Sequence, residues 1–413
     1  MVAKRKPLLL IFLDGLRPDA IDKLELLARL PEKRRLKGEF GYSIACHASM
    51  YTGLMPSEHA YWFVWQRKKG RGIFSKFARL LGFRIFDSWP IRVLAHRLFI
   101  KDVRSANTSF FGVPRPVNVR TRDLADLTVT EWKNYDEYGY IEGQKGFLDV
   151  LRDHSVELDL VGFDKSSHEE SAILARHKHS GTAPVTYWFL GDVDHFSHKH
   201  GQMSREANKE FERLNNVLNA AYKDYCESFG EEPEVLAWSD HGHADVKTVL
   251  DPYEEVRLAG AKLKKVFHVI DGTYIRLWRE GSDDAMYSRV VSVLKEKPYG
   301  FFIEPALAER HGLVFSDNRF GDDIFSLKPG WVFGKTIWGW SRTMKSQHGY
   351  CPDEPIMDGV LASSFPIQGG VVSIRDVYAT VLGKMGLLEN GMANSSKNLA
   401  LNGLVSEPRH RPA

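Results

Sequence analysis

Leu8-Leu9-Leu10-Ile11-Phe12-Leu13-Asp14-Gly15 is a run of six apolar residues that ends on a carboxylate and a glycine. Too short for a buried helix and closed by a turn signal, it reads as a strand buried on both faces, the habit of parallel sheets. Two later stretches repeat the form. Val185 to Leu190 runs into Gly191-Asp192-Val193-Asp194, and Val235 to Trp238 runs into Ser239-Asp240-His241-Gly242. Helix-like spacing fills the gaps, over Asp19 to Arg29, Ser204 to Glu227 and Ile374 to Leu387. The alternation predicts a doubly wound α/β sheet, mostly parallel, with helices on both faces. Ligands of such sheets gather beyond the carboxyl ends of the strands, so these acids are expected to converge although they lie far apart in sequence.

The chain of 413 residues, 43% hydrophobic and 26% charged, has the balance of a core-forming protein rather than a disordered or fibrous one. A formal charge of +3 is too small to argue for specific nucleic-acid binding. The start, basic and then apolar, has the outline of a signal peptide. Its apolar run stops after six residues at Asp14 without a small-residue cleavage site, so the strand reading wins. No apolar stretch nears the ~18 residues of a membrane span. Three scattered cysteines, Cys46, Cys226 and Cys351, with no CxxC pair, fit a reducing compartment. The expected location is the cytoplasm. Two regions break the strand and helix rhythm, 61–110 and 246–345. Both read as cap insertions over the carboxyl edge of a catalytic core made of 1–60, 111–245 and 346–400, with 401–413 as a tail.

Asp14, Asp194 with His198 four residues on, the pair Asp240-His241, and His348 in Ser346-Gln347-His348-Gly349-Tyr350 form a set of oxygen and nitrogen donors. Asp and His together are the ligands of Zn2+ and related ions. A lone Asp or His is more often a cap or a surface group; several converging at strand ends reverse that preference. Ser43 stands just before Ala45 to Tyr51, a predicted helix, so the Ile44 amide and the first-turn N–H groups can meet an anionic group. The competing reading of Ser43 is a helix cap.

Asp14-Gly15-Leu16-Arg17, then Ser43-Ile44-Ala45-Cys46-His47 and Thr52-Gly53-Leu54-Met55-Pro56 with Glu58-His59, resemble the opening of the alkaline phosphatase superfamily in its type I phosphodiesterase/nucleotide pyrophosphatase branch. Asp194 to Gly201 is similar to that branch's DxxGHxxG element, with Ser197 in place of Gly. Ser239-Asp240-His241-Gly242 matches its SDHG element and His348-Gly349-Tyr350 its HGY, while Asp376 to Gly383 is similar to its closing helix. The resemblance implies an alkaline-phosphatase-like fold and two divalent metal ions. One ion would be held by Asp14, Ser43, Asp240 and His241, the other by Asp194, His198 and His348. It also implies a two-metal phosphoesterase, a phosphodiesterase or pyrophosphatase, in which Ser43 is the nucleophile and a covalent phosphoryl-serine forms. Zn2+ is the default ion for such ligands, and Mn2+ tolerates them too. His47 fits packing or support of a ligand better than ligation, and the pattern passes over Asp192, His195, His200 and His243.

Departures bear on the substrate. Where nucleotide pyrophosphatases carry an Asn that hydrogen-bonds the phosphoryl group, this chain has Val64, which leaves Gln66 or a basic residue such as Arg67 as replacement donors, although Arg67 reads first as a solvated surface cation. A C/S-x-P-x-R element is missing, so a formylglycine sulfatase is excluded. A phosphomonoesterase or phosphonate hydrolase on the same core is the alternative, because the cap selects the leaving group. An inactive module that binds phosphorylated glycans or lipids is the reading from another class. Arg67 to Arg104 holds eleven Lys or Arg against two Asp, interleaved with Phe74, Phe77, Leu80, Leu81, Phe83, Phe86 and Trp89. With a short amphipathic helix expected over Ser75 to Leu81, the pattern suits an anionic membrane surface or a lipid-linked phosphate. Aromatics packing the cap's own core, with the charges solvated or drawing in a soluble nucleotide or sugar-linked phosphate ester, is the competing reading.

Overall fold

The computed structural model describes residues 6–72, 75, 123, 125–163, 170–337, 339–340, 344–367 and 372–388. Its main sheet has seven strands: β1 (Leu8–Leu13), β2 (Glu32–Lys37), β3 (Leu158–Val161), β4 (Val185–Leu190), β5 (Glu234–Trp238), β6 (Gly359–Ser363) and β7 (Val372–Ser373). Their spatial order is β7-β2-β6-β5-β1-β4-β3. All pairings are parallel except those of β6, which runs antiparallel to both β5 and β2. The opening strand is central and wholly buried because it feeds two cores. Leu8, Leu10 and Phe12 pack on one face, and Leu9, Ile11 and Leu13 on the other. Each such side chain contributes roughly 1.5–3 kcal/mol on burial, which places the strand inside the sheet; with no polar face to expose, its register depends on which side chains fit each core.

Helices cover both faces. On one side lie α1 (Ser43–Thr52) and, further along the chain, α4 (Asp376–Met385); on the other lie α2 (Asp192–His200) and the long α3 (Arg205–Phe229). Ser204 caps α3, its side chain accepting the Ala207 amide, and Phe211, Leu214 and Leu218 form the helix's buried stripe. The predicted Asp19 to Arg29 helix is a 3-10 turn, Pro18–Lys23, followed by one short α-helical turn, Glu25–Ala28. Ile21, Leu24 and Leu27 are all buried along it. Leu24 N–H bonds Ile21 O, and Leu27 N–H bonds Leu24 O.

Residues 267–327 carry a second, antiparallel sheet in the order Phe267–Asp271, Tyr274–Trp278, Asp323–Leu327, Gly300–Phe302, with its own core. Half-buried Tyr42 ties it to the main sheet, its hydroxyl accepting the Thr273 amide at 2.7 Å. Of the basic segment, Arg67 to Arg71 is described and Ser75 lies in a 3-10 turn, while most of the expected amphipathic helix and its aromatics lie outside the described residues.

Candidate active site

Asp14 leaves β1, Asp194 sits in the first turn of α2 after β4, and Asp240 follows β5, so three neighbouring central strands deliver three carboxylates to one edge. Backbone approach is close there. Gly38 has room for no Cβ, which would come within 2.4 Å of the Asp240 carbonyl, and Gly15, at φ +73°, turns the chain just after Asp14. Gln202 locks the turn from α2's side: its amide donates to Gly15 O at 2.7 Å and its oxygen accepts the Arg17 N–H at 3.0 Å.

Ser43 is the first residue of α1; Tyr42 occupies the cap position, and the Ser43 side chain makes no capping bond. The cap reading is therefore set aside. Ser43 Oγ lies 3.0 Å from His241 Nε2. That nitrogen is in turn 3.4 Å from Asp14 Oδ1 and 3.3 Å from Asp240 Oδ2. Asp240 Oδ1 is engaged by the Gly15 and His241 amides at 3.1 Å each, which leaves Oδ2 aimed at the cluster. Around Asp194 Oδ1 gather three imidazole nitrogens: His198 Nε2 at 3.2 Å, His243 Nε2 at 2.9 Å and His348 Nε2 at 3.5 Å. The His241 and His348 rings stack, 3.8 Å apart and 8° from parallel, joining the two groups.

The structure thus brings together Asp14, Ser43, Asp194, His198, Asp240, His241 and His348. It adds His243, which the motif passes over. A signal was present: in extended backbone, residues 241 and 243 point the same way. His47 is buried with its Nε2 3.6 Å from Asp240 Oδ2 and forms a further group with Asp14 and Asp240, closer to the centre than a packing role requires. Asp192 instead accepts from the Ser171 amide and Arg213, and His195 is exposed. Gln66 and Arg67 do not replace the missing donor. Gln66 donates to Val129 O, and Arg67 is buried against Phe267 and bonds Glu280 O.

Burial, then the charges of Asp240 and Asp194, drive the Asp14 carboxyl well above the usual carboxylate range. Burial also acts upward on Asp194, but His198, His243 and His348 outweigh it and hold that carboxyl well below its ordinary value. Burial pushes His243 and His47 down to about 4, and burial with His241 pushes His348 well below the usual imidazole range. Asp14 Oδ1, Asp240 Oδ2 and both ring nitrogens of His47 are buried without a hydrogen-bond partner. Clustered carboxylates and neutral imidazoles with free electron pairs are what a divalent cation satisfies, so the residues fit a metal centre. Two other groups of suitable residues occur among the described residues. In one, Asp159 accepts from His177 and His179 at 2.9 and 2.7 Å, and in the other Arg310 bonds Asp353 at 2.6 Å, so each carboxylate already has a partner.

The family model described as type I phosphodiesterase / nucleotide pyrophosphatase matches residues 8–351. The chain belongs to that family. A member of it is a metal-dependent phosphoester hydrolase. Human ectonucleotide pyrophosphatase/phosphodiesterase 5 is similar over 93% of this chain and 96% of its own, at 11% identity and a TM-score of 0.64. The murine protein, as an inactive variant in complex with AMP, is similar over the same shares at 12% identity and a TM-score of 0.62. At such identities the likeness is one of fold, and the fold is alkaline-phosphatase-like. No curated protein sequence matches this chain.

Proposed function

We propose that this type I phosphodiesterase-family hydrolase cleaves a phosphodiester or pyrophosphate through a phosphoryl-Ser43 intermediate, with two divalent ions. The reading is carried by one observation, the Ser43 hydroxyl at the head of α1, 3.0 Å from His241 Nε2 and beside the Asp14–Asp240 pair. Asp14, Ser43, Asp240 and His241 would hold one ion; Asp194, His198 and His348 would hold the other. When bound, the ions lower the hydroxyl pKa and offset charge on the phosphoryl oxygens and the leaving group. Ser43 Oγ, its proton given up to solvent, forms the new bond to phosphorus as the bond to the leaving oxygen breaks. The Ser43 and Ile44 N–H groups, which precede the first amide to close on the helix, face the phosphoryl oxygens. Water then attacks phosphorus and frees Ser43. Zn2+ is our default ion, with Mn2+ next. Residues 61–110 and 246–345 act as caps that choose the leaving group.

Bis(aryl) phosphate should be turned over faster than the aryl monoester, and chelation should stop both. Metal analysis should find close to two ions per chain. A faster monoester rate would select the phosphomonoesterase alternative, and no turnover of either by metal-loaded protein would favour the binding module. The substrate class we infer is a phosphate ester with a nucleotide, sugar-linked or lipid-linked leaving group.

We also propose a cytoplasmic location, with contact to an anionic membrane as the second reading of the basic segment beside substrate capture. Supporting this, all three cysteines are free and the segment after Arg67 is strongly basic. Among the described residues no helix is long and apolar enough to cross a membrane. Binding to anionic but not neutral vesicles, weakening with salt and with charge reversal at Lys68 and Arg71, is the expected flotation result. Lys69 is left out because it bonds Glu280. Absence of flotation at low salt would assign the segment to substrate capture instead.

A further inference from the structure

His243 is buried and holds a fixed tautomer. Ser346 Oγ donates its only hydrogen to Ser197 O at 2.7 Å, so toward His243 Nδ1, 3.1 Å away, it can only accept. His243 Nδ1 therefore carries a proton, and in the neutral ring that a metal ligand must be, Nε2 presents its electron pair on the side of Asp194 Oδ1, 2.9 Å away, in a group with His198 whose donor atoms lie close enough to share an ion. An electron pair facing a carboxylate at that distance is repulsive unless a cation lies between them. The same logic describes two of the assigned ligands. His198 Nδ1 meets Ser346 O at 2.9 Å, His241 Nδ1 meets Gly242 O at 3.2 Å, and both carbonyls only accept. One residue, Ser346, thus orients His198 through its carbonyl and His243 through its hydroxyl, the support that metal-bound imidazoles receive from a second layer of groups.

The backbone builds this arrangement. Ala244–Asp245 pairs antiparallel with Ser346–Gln347, Ala244 opposite Gln347, and the continued register sets His243 opposite His348. The rings of His198 and His348 lie 4.9 and 5.3 Å from that of His243. Gly15 leaves the space, since a Cβ there would stand 2.8 Å from His243 Nε2. We propose that His243 is a fourth protein ligand of the second metal site, which becomes one carboxylate and three imidazoles. The first site, Asp14, Ser43, Asp240 and His241, is richer in oxygen. The second site should accordingly favour Zn2+-type ions over Mn2+ or Mg2+, and the first should discriminate less.

The proposal rests on the two-metal reading, and calorimetric titration with Zn2+ separates the two. His243→Asn is the informative variant, because its amide can still donate to Ser346 Oγ while nothing replaces Nε2. One of the two sites should lose at least ~10-fold in Zn2+ affinity and much of its preference over Mn2+, with the other unchanged. Co2+-loaded wild type supplies a test without mutation. Its proton spectrum should show one more exchangeable, hyperfine-shifted imidazole N–H than His198, His241 and His348 account for. Wild type that takes up no divalent ion overturns the two-metal reading itself. Wild type that binds two ions, with both sites intact in His243→Asn or without the extra N–H signal, overturns the role of His243 alone.

Discussion

Ser43→Ala is expected to lower turnover by at least ~10³-fold while the fold and most metal binding survive, because under the proposed mechanism it deletes the nucleophile but only one of several donors at the first site. Ser43 makes no cap bond that α1 needs, so its loss costs the helix little. Steady-state rates, circular dichroism and metal content of the purified variant check all three parts. The same helix offers no substitute. Ser49 is buried and bonded to His59, and the Thr52 hydroxyl donates to Ala48 O, so neither can reach a substrate without breaking α1's packing. Near-normal turnover would therefore remove the covalent route altogether, not merely relocate it. Ser43→Thr should keep much of the rate, since its hydroxyl can occupy the same place.

What was legible in the sequence is what local chemistry decides. Leu8 to Leu13 and Val185 to Leu190 could only be fully buried strands, and their bounds are those of β1 and β4. The acids that close them land at one edge because parallel strands end together. Illegible were features that depend on residues far away in the chain. Arg67 looks like a surface cation in a basic run, yet Phe267 and Glu280, about two hundred residues on, bury it. His243 looks like a bystander until Ser346 fixes its tautomer. Gln202 carries no motif, and it matters because the Asp14–Gly15 turn arrives beside it. The Pro18 to Ala28 segment differs for a local reason instead: apolar spacings of three and four coexist there, and the chain winds as a 3-10 turn before Leu24 and as an α turn after it.

Asp14→Asn is expected to abolish turnover, by at least ~10²-fold, and yet to stabilise the metal-free protein. The Asp14 carboxyl is raised by burial and then by Asp240 and Asp194, so the folded chain binds that proton more tightly than the unfolded chain does. Stability from such a group falls as pH rises, from the unfolded value near ~4 up to the folded one. Asp194 acts in a different window: burial opposes its charge but His198 and its neighbours prevail, so its contribution is present above ~4 and is lost as pH falls further. The other titrating groups are common to both proteins, and the difference in melting temperature between Asp14→Asn and the parent isolates Asp14. In chelator that difference should be near zero at pH ~4 and should grow in the variant's favour toward neutrality. Excess Zn2+ should reverse its sign, because a cation beside the carboxylates makes charged Asp14 the favoured form and Asn cannot replace it. A variant less stable than the parent in chelator at neutral pH would take Asp14 out of the repelling cluster. Equal stabilisation of both proteins by Zn2+ would take it out of the ligand set.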